Sequence, residues 1–386
     1  MDLLRSQSEE QDRPETITID TKTQKTVATL GMFILDRFEY TEDYLKTRKP
    51  LSQPGEWYIG GGGTYAAVGA RVWLKPEQIT MIIHKGLDFP ESTIEQLESY
   101  SGGIDERSMF KFIVDPDHPK TTRALNTYSN ELRQFQYLTQ KRQIKVEEIF
   151  TQSCNNNQNL LPADYIHMIC SPTRLLSILD QIRSFDGWNP TLIYEPVPDS
   201  CKPENVTDLL KLKNDYQTFK IIFSPNNFEA YEFLKTRLVY DISTTELNSG
   251  TCNKKLIETL GRSFYDDFGF EAVIIRSGEL GSWAIGGNLE NGSWVSSLIK
   301  DQSQVVDQTG AGNAFLGGVM AGLALSKPLL ESCYYGSISA GLTITQLGLP
   351  KIYKSKDSYD TLRSKDDLTL WNENGLNPKE LLKTFI

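Results

Sequence analysis

The chain has 386 residues, of which 39% are hydrophobic and 23% are charged. Its 50 acidic and 40 basic side chains give a formal net charge of -10, which opposes direct contact with nucleic acid. The apolar runs are shorter than the roughly 18 to 20 residues that a membrane-spanning helix needs. The five cysteines form no C-x-x-C pair, which indicates reduced thiols. The three histidines show no metal-ligand spacing. We therefore predict a cytoplasmic protein without a membrane or nucleic-acid partner, with the nucleus as a possible second location.

Composition divides the chain into three segments. Residues 1–26 are polar and lack the apolar stretch of a signal peptide, so we predict a disordered tail there. Residues 27–350 are predicted to form the folded domain. Residues 351–386 are predicted to be a polar C-terminal segment that ends in an amphipathic piece able to pack on the core.

The first elements suggest a ligand site at the edge of a sheet. VATLGMFILD (27–36) is typical of a buried strand, and Asp36 at its end is either a ligand-binding carboxylate or a capping one. IGGGGTYAAVGARVW (59–73) places four glycines before a small-residue helix, where a ligand can approach the backbone closely. The glycines lack the G-x-G-x-x-G spacing of a dinucleotide site, which argues against an oxidoreductase.

Alternating polar and apolar residues over 109–115 and 121–139 predict strands with one solvated face. From residue 164 onwards, apolar strands and amphipathic helices alternate, which predicts a parallel sheet with helical crossovers and therefore an α/β fold. His167, in DYIHMIC, is expected to pack in a buried strand rather than to take part in catalysis.

Two short motifs lie where strands end. In FSPNNFEA (223–230), Asn226 and Glu229 are suited either to a magnesium-bound water or to a helix cap, and the residues alone favour the cap. In RSGELGS (276–282), Gly278 and Gly281 are suited either to a phosphate or ribose or to an ordinary turn between strands, and the turn is favoured.

The sharpest signal is DQTGAGNAF (307–315), where a glycine-rich turn leads directly into an apolar helix. Gly310, Ala311 and Gly312 leave backbone N–H groups open at the helix N-terminus, which is an arrangement that binds anions. Asn313 follows at the mouth of the helix, and an amide is not a base.

Together these motifs resemble the PfkB carbohydrate kinase family, which has the ribokinase-like fold. The resemblance covers residues 27–350 and keeps the family's order of motifs. It rests on the acid of the first strand, the first glycine motif, P-N-x-x-E from Pro225 to Glu229, S-G-E-x-G from Ser277 to Gly281, and D-x-T-G-A-G from Asp307 to Gly312.

The resemblance implies magnesium-dependent transfer of the ATP γ-phosphoryl group to a hydroxyl of a sugar or nucleoside. It implies a central, mostly parallel sheet with a small β lid, whose strands lie within about 105–140 and in this family can form a dimer interface. By this resemblance the sites are an anion hole at Gly310, Ala311 and Gly312 and a water-mediated magnesium contact at Glu229. The acceptor would bind at Asp36, Gly61, Gly62 and Thr64, and the nucleotide at Asn226, Ser277, Gly278, Gly281 and Thr309.

One departure from the family motif concerns the chemistry directly. The family continues G-A-G-D, with the Asp as general base, and this chain has Asn313 there. A general base contributes about 10²- to 10⁴-fold, so the resemblance is compatible with a weak kinase, in which Asn313→Asp is expected to raise any basal activity. The alternative is an inactive pseudokinase that acts as a nucleotide-binding scaffold.

The strings G-G-G-T-Y-A-A and Q-L-G-L-P are similar to the fungal maintenance-of-killer branch of the family. That likeness implies a link to the stability of double-stranded RNA virus particles in fungi. Neither string names an acceptor, because the shape of the lid and of the first motif selects it.

Overall fold

The computed structural model describes residues 24–101, 108–114, 116–129, 133–149, 163–237, 254–354, 369–372 and 375–386. These residues form a nine-stranded and a four-stranded β-sheet, a two-stranded hairpin and flanking helices. The strands of the larger sheet are β1 (Val27–Thr29), β4 (Ile79–Lys85), β5 (Phe110–Val114), β8 (Tyr165–Cys170), β9 (Thr191–Pro196), β10 (Ile221–Phe223), β11 (Ala272–Arg276), β12 (Ser282–Gly286) and β13 (Leu289–Val295). The predicted disordered tail lies outside the described residues, apart from 24–26.

The larger sheet has the strand order β13-β12-β11-β10-β9-β8-β1-β4-β5. From β11 to β5 the strands run parallel, and β12 and β13 are added antiparallel at one edge. The helical crossovers that the alternating sequence predicts account for this parallel core. The α/β prediction is confirmed.

Helices cover the larger sheet on both faces. In chain order the helices of the described residues are α1 (Glu42–Thr47), α2 (Gly62–Arg71), α3 (Glu91–Ser101), α4 (Pro172–Arg183), α5 (Val206–Asp215), α6 (Asn227–Leu234), α7 (Lys254–Phe268), α8 (Ala311–Ala324), α9 (Leu329–Ile344) and α10 (Pro378–Phe385). Of these, α1 packs through Tyr44 on Tyr40 and Tyr128. Neighbouring residues of β9 point to opposite faces, so Leu192 packs in the cluster under α4, α5 and α7, and Ile193 packs in the cluster under α2, α8 and α9.

A smaller sheet has the strand order β3-β2-β6-β7. Its strands are β2 (Ile34–Tyr40), β3 (Tyr58–Gly60), β6 (Arg123–Tyr128) and β7 (Arg133–Tyr137). The predicted lid therefore exists, but its composition differs from the prediction. The strand over 109–115 is β5 of the larger sheet, because it pairs parallel with β4, and the lid gains β2 and β3 instead.

The predicted first strand also proves to be two strands. The stretch 27–36 divides at Gly31, where an added Cβ would lie 2.6 Å from the Cα of Gly63. Because the backbone of the α2 turn packs this closely, the chain leaves the larger sheet and enters the smaller one. Asp36 was predicted at the end of a strand of the larger sheet. It lies instead inside β2, a strand of the lid sheet.

Small residues bring α2 and α8 into close contact. A Cβ on Gly69 would lie 2.3 Å from the carbonyl oxygen of Ala314, and one on Gly317 would lie 2.0 Å from that of Ala66. This packing sets the first turn of α8 beside the glycine turn that begins α2.

Part of the C-terminal segment belongs to the core. The strands β14 (Ile352–Lys354) and β15 (Thr369–Trp371) form a hairpin, and α10 packs on α9. Trp371 is fully buried, with its ring stacked 6.4 Å from that of Tyr100. Across the described ranges, every helix is too short or too polar to cross a membrane.

Candidate active site

A row of polar groups crosses the adjacent strands β1, β8 and β9 of the larger sheet and continues past β10 to Arg276 at the end of β11. Thr29 Oγ1 lies 3.0 Å from His167 Nδ1, and His167 Nε2 lies 3.3 Å from Glu195 Oε2. Glu195 Oε1 accepts from Arg276 Nη1 at 2.8 Å. Arg276 Nη2 also donates to the Ser224 carbonyl at 3.0 Å. Parallel strands bring these side chains to one region of the sheet, where they satisfy one another away from water.

Arg276 is shared between two buried carboxylates. Its Nη2 lies 3.4 Å from Glu229 Oε2, farther than the 2.8 Å from Nη1 to Glu195. Burial alone would raise the pKa of Glu195, but Arg276, His167 and Asn313 hold it below its usual range. Burial raises the pKa of Glu229 to about 7, against the attraction of Arg276. Glu195 is therefore the charged partner of Arg276 at neutral pH.

Glu229 also forms a helix cap. Asn226 Oδ1 accepts from the Glu229 amide at 2.9 Å, and Glu229 Oε2 accepts from the Asn226 amide at 2.7 Å. The two residues thus form a reciprocal capping box at the start of α6, which the sequence alone favoured for this motif.

The two glycines of the G-A-G turn are required for different steric reasons. Gly310 has φ of +76°, and a Cβ there would lie 2.2 Å from the ring of Tyr65. A Cβ on Gly312 would lie 2.0 Å from Arg276 Nη1. The guanidinium therefore occupies the space in front of the α8 N-terminus, where it adds positive charge to that of the helix dipole.

Asn313 lies between the first glycine motif and Glu195. Its Nδ2 donates to Glu195 Oε2 at 2.7 Å, and a Cβ on Gly62 would lie 3.1 Å from the same Nδ2. The amide is thus packed closely on one side and bonded to a carboxylate on the other.

A cavity of 490 Å³ collects most of the predicted acceptor residues. Thr64 is an exception, because it is fully buried and donates its hydroxyl to the Gly60 carbonyl at 2.9 Å. Thr309, predicted on the nucleotide side, lines this first cavity instead. Predicted residues that line it are Asp36, Gly61, Gly62, Glu229, Thr309, Gly310 and Asn313.

A second cavity, of 360 Å³, lies on the other side of the same helical turn. Its apolar walls include Phe228, Leu298 and Ile344, and Arg276 also lines it. Apolar walls suit a nucleobase, and a guanidinium beside a helix N-terminus suits phosphates, so the residues present fit a nucleotide. Predicted residues that line it are Asn226, Ser277, Gly278, Gly281, Ala311 and Gly312.

Direct ligands for a metal ion are scarce. Within the described ranges there is no group of three or more His, Cys, Asp or Glu side chains placed to hold one. Glu229 Oε2 already accepts from Asn226 and lies near Arg276, so a magnesium contact would fall to its other oxygen through water. The residues therefore fit a magnesium ion carried by a nucleotide, not an ion held by protein ligands.

Neither Glu195 nor Arg276 was predicted from the sequence as a site residue, and His167 was predicted to pack in the core. His167 is indeed buried in β8, but it contacts the site carboxylate. A signal was present, because TLIYEP and AVIIR each carry a charged residue at the last or next-to-last position of an apolar strand. What the sequence did not contain is the adjacency that brings these strand ends together.

The architecture and the two cavities define a ribokinase-like α/β protein. Ribokinase from Giardia lamblia superposes with a TM-score of 0.60 at 17% identity, over 84% of this chain and 94% of that one. Ribokinase from Cryptococcus neoformans in complex with ADP gives a TM-score of 0.58 at 17% identity, over 84% and 95%. These likenesses concern the fold.

Sequence comparison gives the family. The model of the pfkB family of carbohydrate kinases matches residues 25–352. Protein MAK32 of Saccharomyces cerevisiae is 31% identical over 387 residues, which cover 95% of this chain and 98% of that protein. The chain belongs to the pfkB carbohydrate kinase family. The family prediction is confirmed, and this relative agrees with the predicted fungal branch.

Proposed function

We propose that this chain binds ATP in the second cavity and transfers its γ-phosphoryl group slowly to a hydroxyl of a small molecule in the first. The observation that carries the proposal is the junction of the cavities at the first turn of α8. Gly310 and Asn313 line the first cavity, whereas Ala311 and Gly312 line the second. One helical turn thus faces both compartments, as a direct transfer between two bound substrates needs.

The residues support a division of roles. Arg276 and the helix N-terminus would stabilise charge on the transferring group. Asp36, with the close-approach backbone of Gly61 and Gly62, would orient the acceptor hydroxyl. Magnesium on the nucleotide supplies further charge neutralisation, and Glu229 is the residue that would contact it through water.

The acceptor is proposed to be a sugar or nucleoside. Polar residues line the first cavity, and Lys141 and Arg174 are among them. A panel of acceptors should therefore contain both neutral and phosphorylated sugars, together with nucleosides.

Two measurements test the proposal. Calorimetric titration with Mg-ATP measures binding, and ADP formation across the panel measures transfer. Ala340→Trp places a large ring in the second cavity and should abolish ATP binding, whereas Leu325→Trp adds the same ring at a 42% exposed position and should not. Absence of binding by the native chain would refute the proposal.

A second candidate function is an inactive pseudokinase that acts as a nucleotide-binding scaffold. The neutral amide of Asn313 favours it, since that amide accepts no proton. In fungi such a scaffold would be linked to the stability of double-stranded RNA virus particles. ATP binding without ADP formation, for every acceptor in the panel, would select it.

A homodimer through the small sheet is also proposed. Phe135 of β7 is 46% exposed and the following Leu138 is 44% exposed, which leaves apolar surface at the edge of that sheet. Sedimentation of the native chain and of a Leu138→Lys variant tests it, with a monomeric variant expected.

A further inference from the structure

The first cavity contains a buried carboxylate in direct contact with the amide at the base position. Glu195 is the next-to-last residue of β9 and contacts Asn313, and both residues line the cavity together with Asp36. Only 7% of Glu195 is exposed, and its Oε2 accepts from Asn313 Nδ2 at 2.7 Å. The amide at 313 and the carboxylate at 195 are therefore the two halves of one hydrogen-bonded pair.

The two carboxylate oxygens of Glu195 have different surroundings. Oε1 is bound to Arg276 at 2.8 Å, which keeps the group charged. Oε2 contacts Asn313 at 2.7 Å and His167 at the longer distance of 3.3 Å. His167 is completely buried in β8, whereas Asn313 lines the cavity, so Oε2 is the oxygen nearer to a bound acceptor.

A purely structural role as the counterion of Arg276 is the simpler reading of Glu195. Glu229 Oε2 also lies 3.4 Å from that guanidinium, although Glu195 is the charged partner of Arg276 at neutral pH. Asn313 donates to Glu195 Oε2 and not to the oxygen that holds Arg276. The ion pair with Arg276 therefore does not explain the hydrogen bond between Asn313 and Glu195.

We propose that Glu195 is the catalytic base of this chain and that Asn313 is a positioning residue that holds Glu195 Oε2 at the cavity. This inference rests on the proposed kinase function. As the acceptor oxygen forms its bond to the γ-phosphorus, the hydroxyl proton passes to Glu195 Oε2. The bond from that phosphorus to the β-γ bridging oxygen breaks, and ADP leaves with the electron pair. Glu195 then releases the proton to water.

The decisive experiment exchanges the two side chains. Glu195→Gln removes the base, and the double variant Asn313→Asp/Glu195→Gln restores one carboxylate and one amide with their positions reversed. Glu148→Gln is the matched control, because Glu148 makes a 2.7 Å contact with His84 outside both cavities. ATP affinity, thermal unfolding and ADP formation are measured for each.

We expect Glu195→Gln to lower ADP formation about 100-fold or more with native ATP affinity. The exchange variant should recover to within about tenfold of the native rate, and Glu148→Gln should match the native rate. The acid limb of the native pH–rate profile should disappear in Glu195→Gln. If Glu195→Gln does not fold, the exchange variant decides alone, because it restores a hydrogen bond between a carboxylate and an amide at positions 195 and 313.

Two results would overturn the inference while the kinase function stands. These are a native rate in Glu195→Gln, and a folded exchange variant that stays inactive while the native chain turns over. If the native and exchange variants bind ATP but neither forms ADP with any acceptor, the kinase function itself fails and the inference fails with it.

Discussion

The side chain of Asn313 donates a hydrogen bond to that of Glu195, with 2.7 Å from Nδ2 to Oε2. The sequence shows only that position 313 has lost a carboxylate. The structure adds that another carboxylate lies in contact with the replacement amide and is held charged by Arg276. The expectation that Asn313→Asp raises any basal activity stays a prediction, and the contact with Glu195 adds a second expectation, which concerns stability.

Asn313→Asp alone is expected to destabilise the protein. It replaces a donor by a second carboxylate beside Glu195, and two neighbouring carboxylates resist simultaneous ionisation. The raised pKa of the pair means that the folded state keeps a proton which the unfolded state releases as the pH rises. The deficit relative to the native chain should therefore grow from pH 5 to pH 8, to about 1 to 3 kcal/mol.

Urea unfolding at the two pH values measures this deficit. Asn313→Ala is the control, because it removes the hydrogen bond without adding charge and should show a deficit that changes little with pH. A deficit for Asn313→Asp that is the same at both pH values would contradict the contact with Glu195.

The sequence predicted more of the fold than of the site. The regular alternation of apolar strands and amphipathic helices after residue 164 predicted β8 to β12 and their helices, because each element has its own hydrophobic periodicity. Gly31 divided the first strand for a reason the local sequence does not contain, namely the backbone of Gly63. The same holds for Arg276, whose position in front of Gly312 depends on β11 and α8 meeting in space. Local patterns identify strand ends, but they do not say which ends are neighbours.

Glu229 should make stability decrease with rising pH. Its pKa is raised to about 7 in the folded protein from 4.5, mainly by burial. Between these values the unfolded state ionises while the folded state keeps its proton, so stability falls as the pH rises from about 4.5 to about 7. The loss is on the order of 3 kcal/mol, and Glu229→Gln should remove it because glutamine stays neutral.

Glu148 provides the opposite case for the same measurement. Its pKa is lowered below its usual range, because the His84 and Lys145 contacts outweigh its burial. The Glu148 carboxylate contributes stability above its unfolded pKa, and this contribution is lost as the pH falls. Glu148→Gln should therefore cost stability at pH 7 and little at pH 4.

For Glu229, parallel pH profiles of the stability of the native chain and of Glu229→Gln would show that Glu229 ionises normally.

Gly310→Ala should cost more than its backbone conformation requires. Gly187 has the same φ of +76° but has no atom within 4 Å of an added Cβ, whereas at Gly310 the Tyr65 ring lies at 2.2 Å. Gly187→Ala therefore measures the backbone cost alone, about 1 kcal/mol. Gly310→Ala should exceed it by about 1 to 3 kcal/mol in chemical unfolding, and equal costs would show that Tyr65 yields without strain.

Trp371→Ala should destabilise the whole domain, although residue 371 lies in the segment predicted to be polar. Its side chain is fully buried and stacks on Tyr100, whose hydroxyl donates to the Pro350 carbonyl at 2.9 Å. Loss of a buried tryptophan costs about 3 to 5 kcal/mol. Ile386→Ala, at a 65% exposed position of the same segment, should cost less than about 0.5 kcal/mol. Because Trp371 packs in the cluster that contains α8 and α9, its loss should lower one cooperative unfolding transition. A separate early transition, with the main one unchanged, would instead mean that the C-terminal segment unfolds independently of the core.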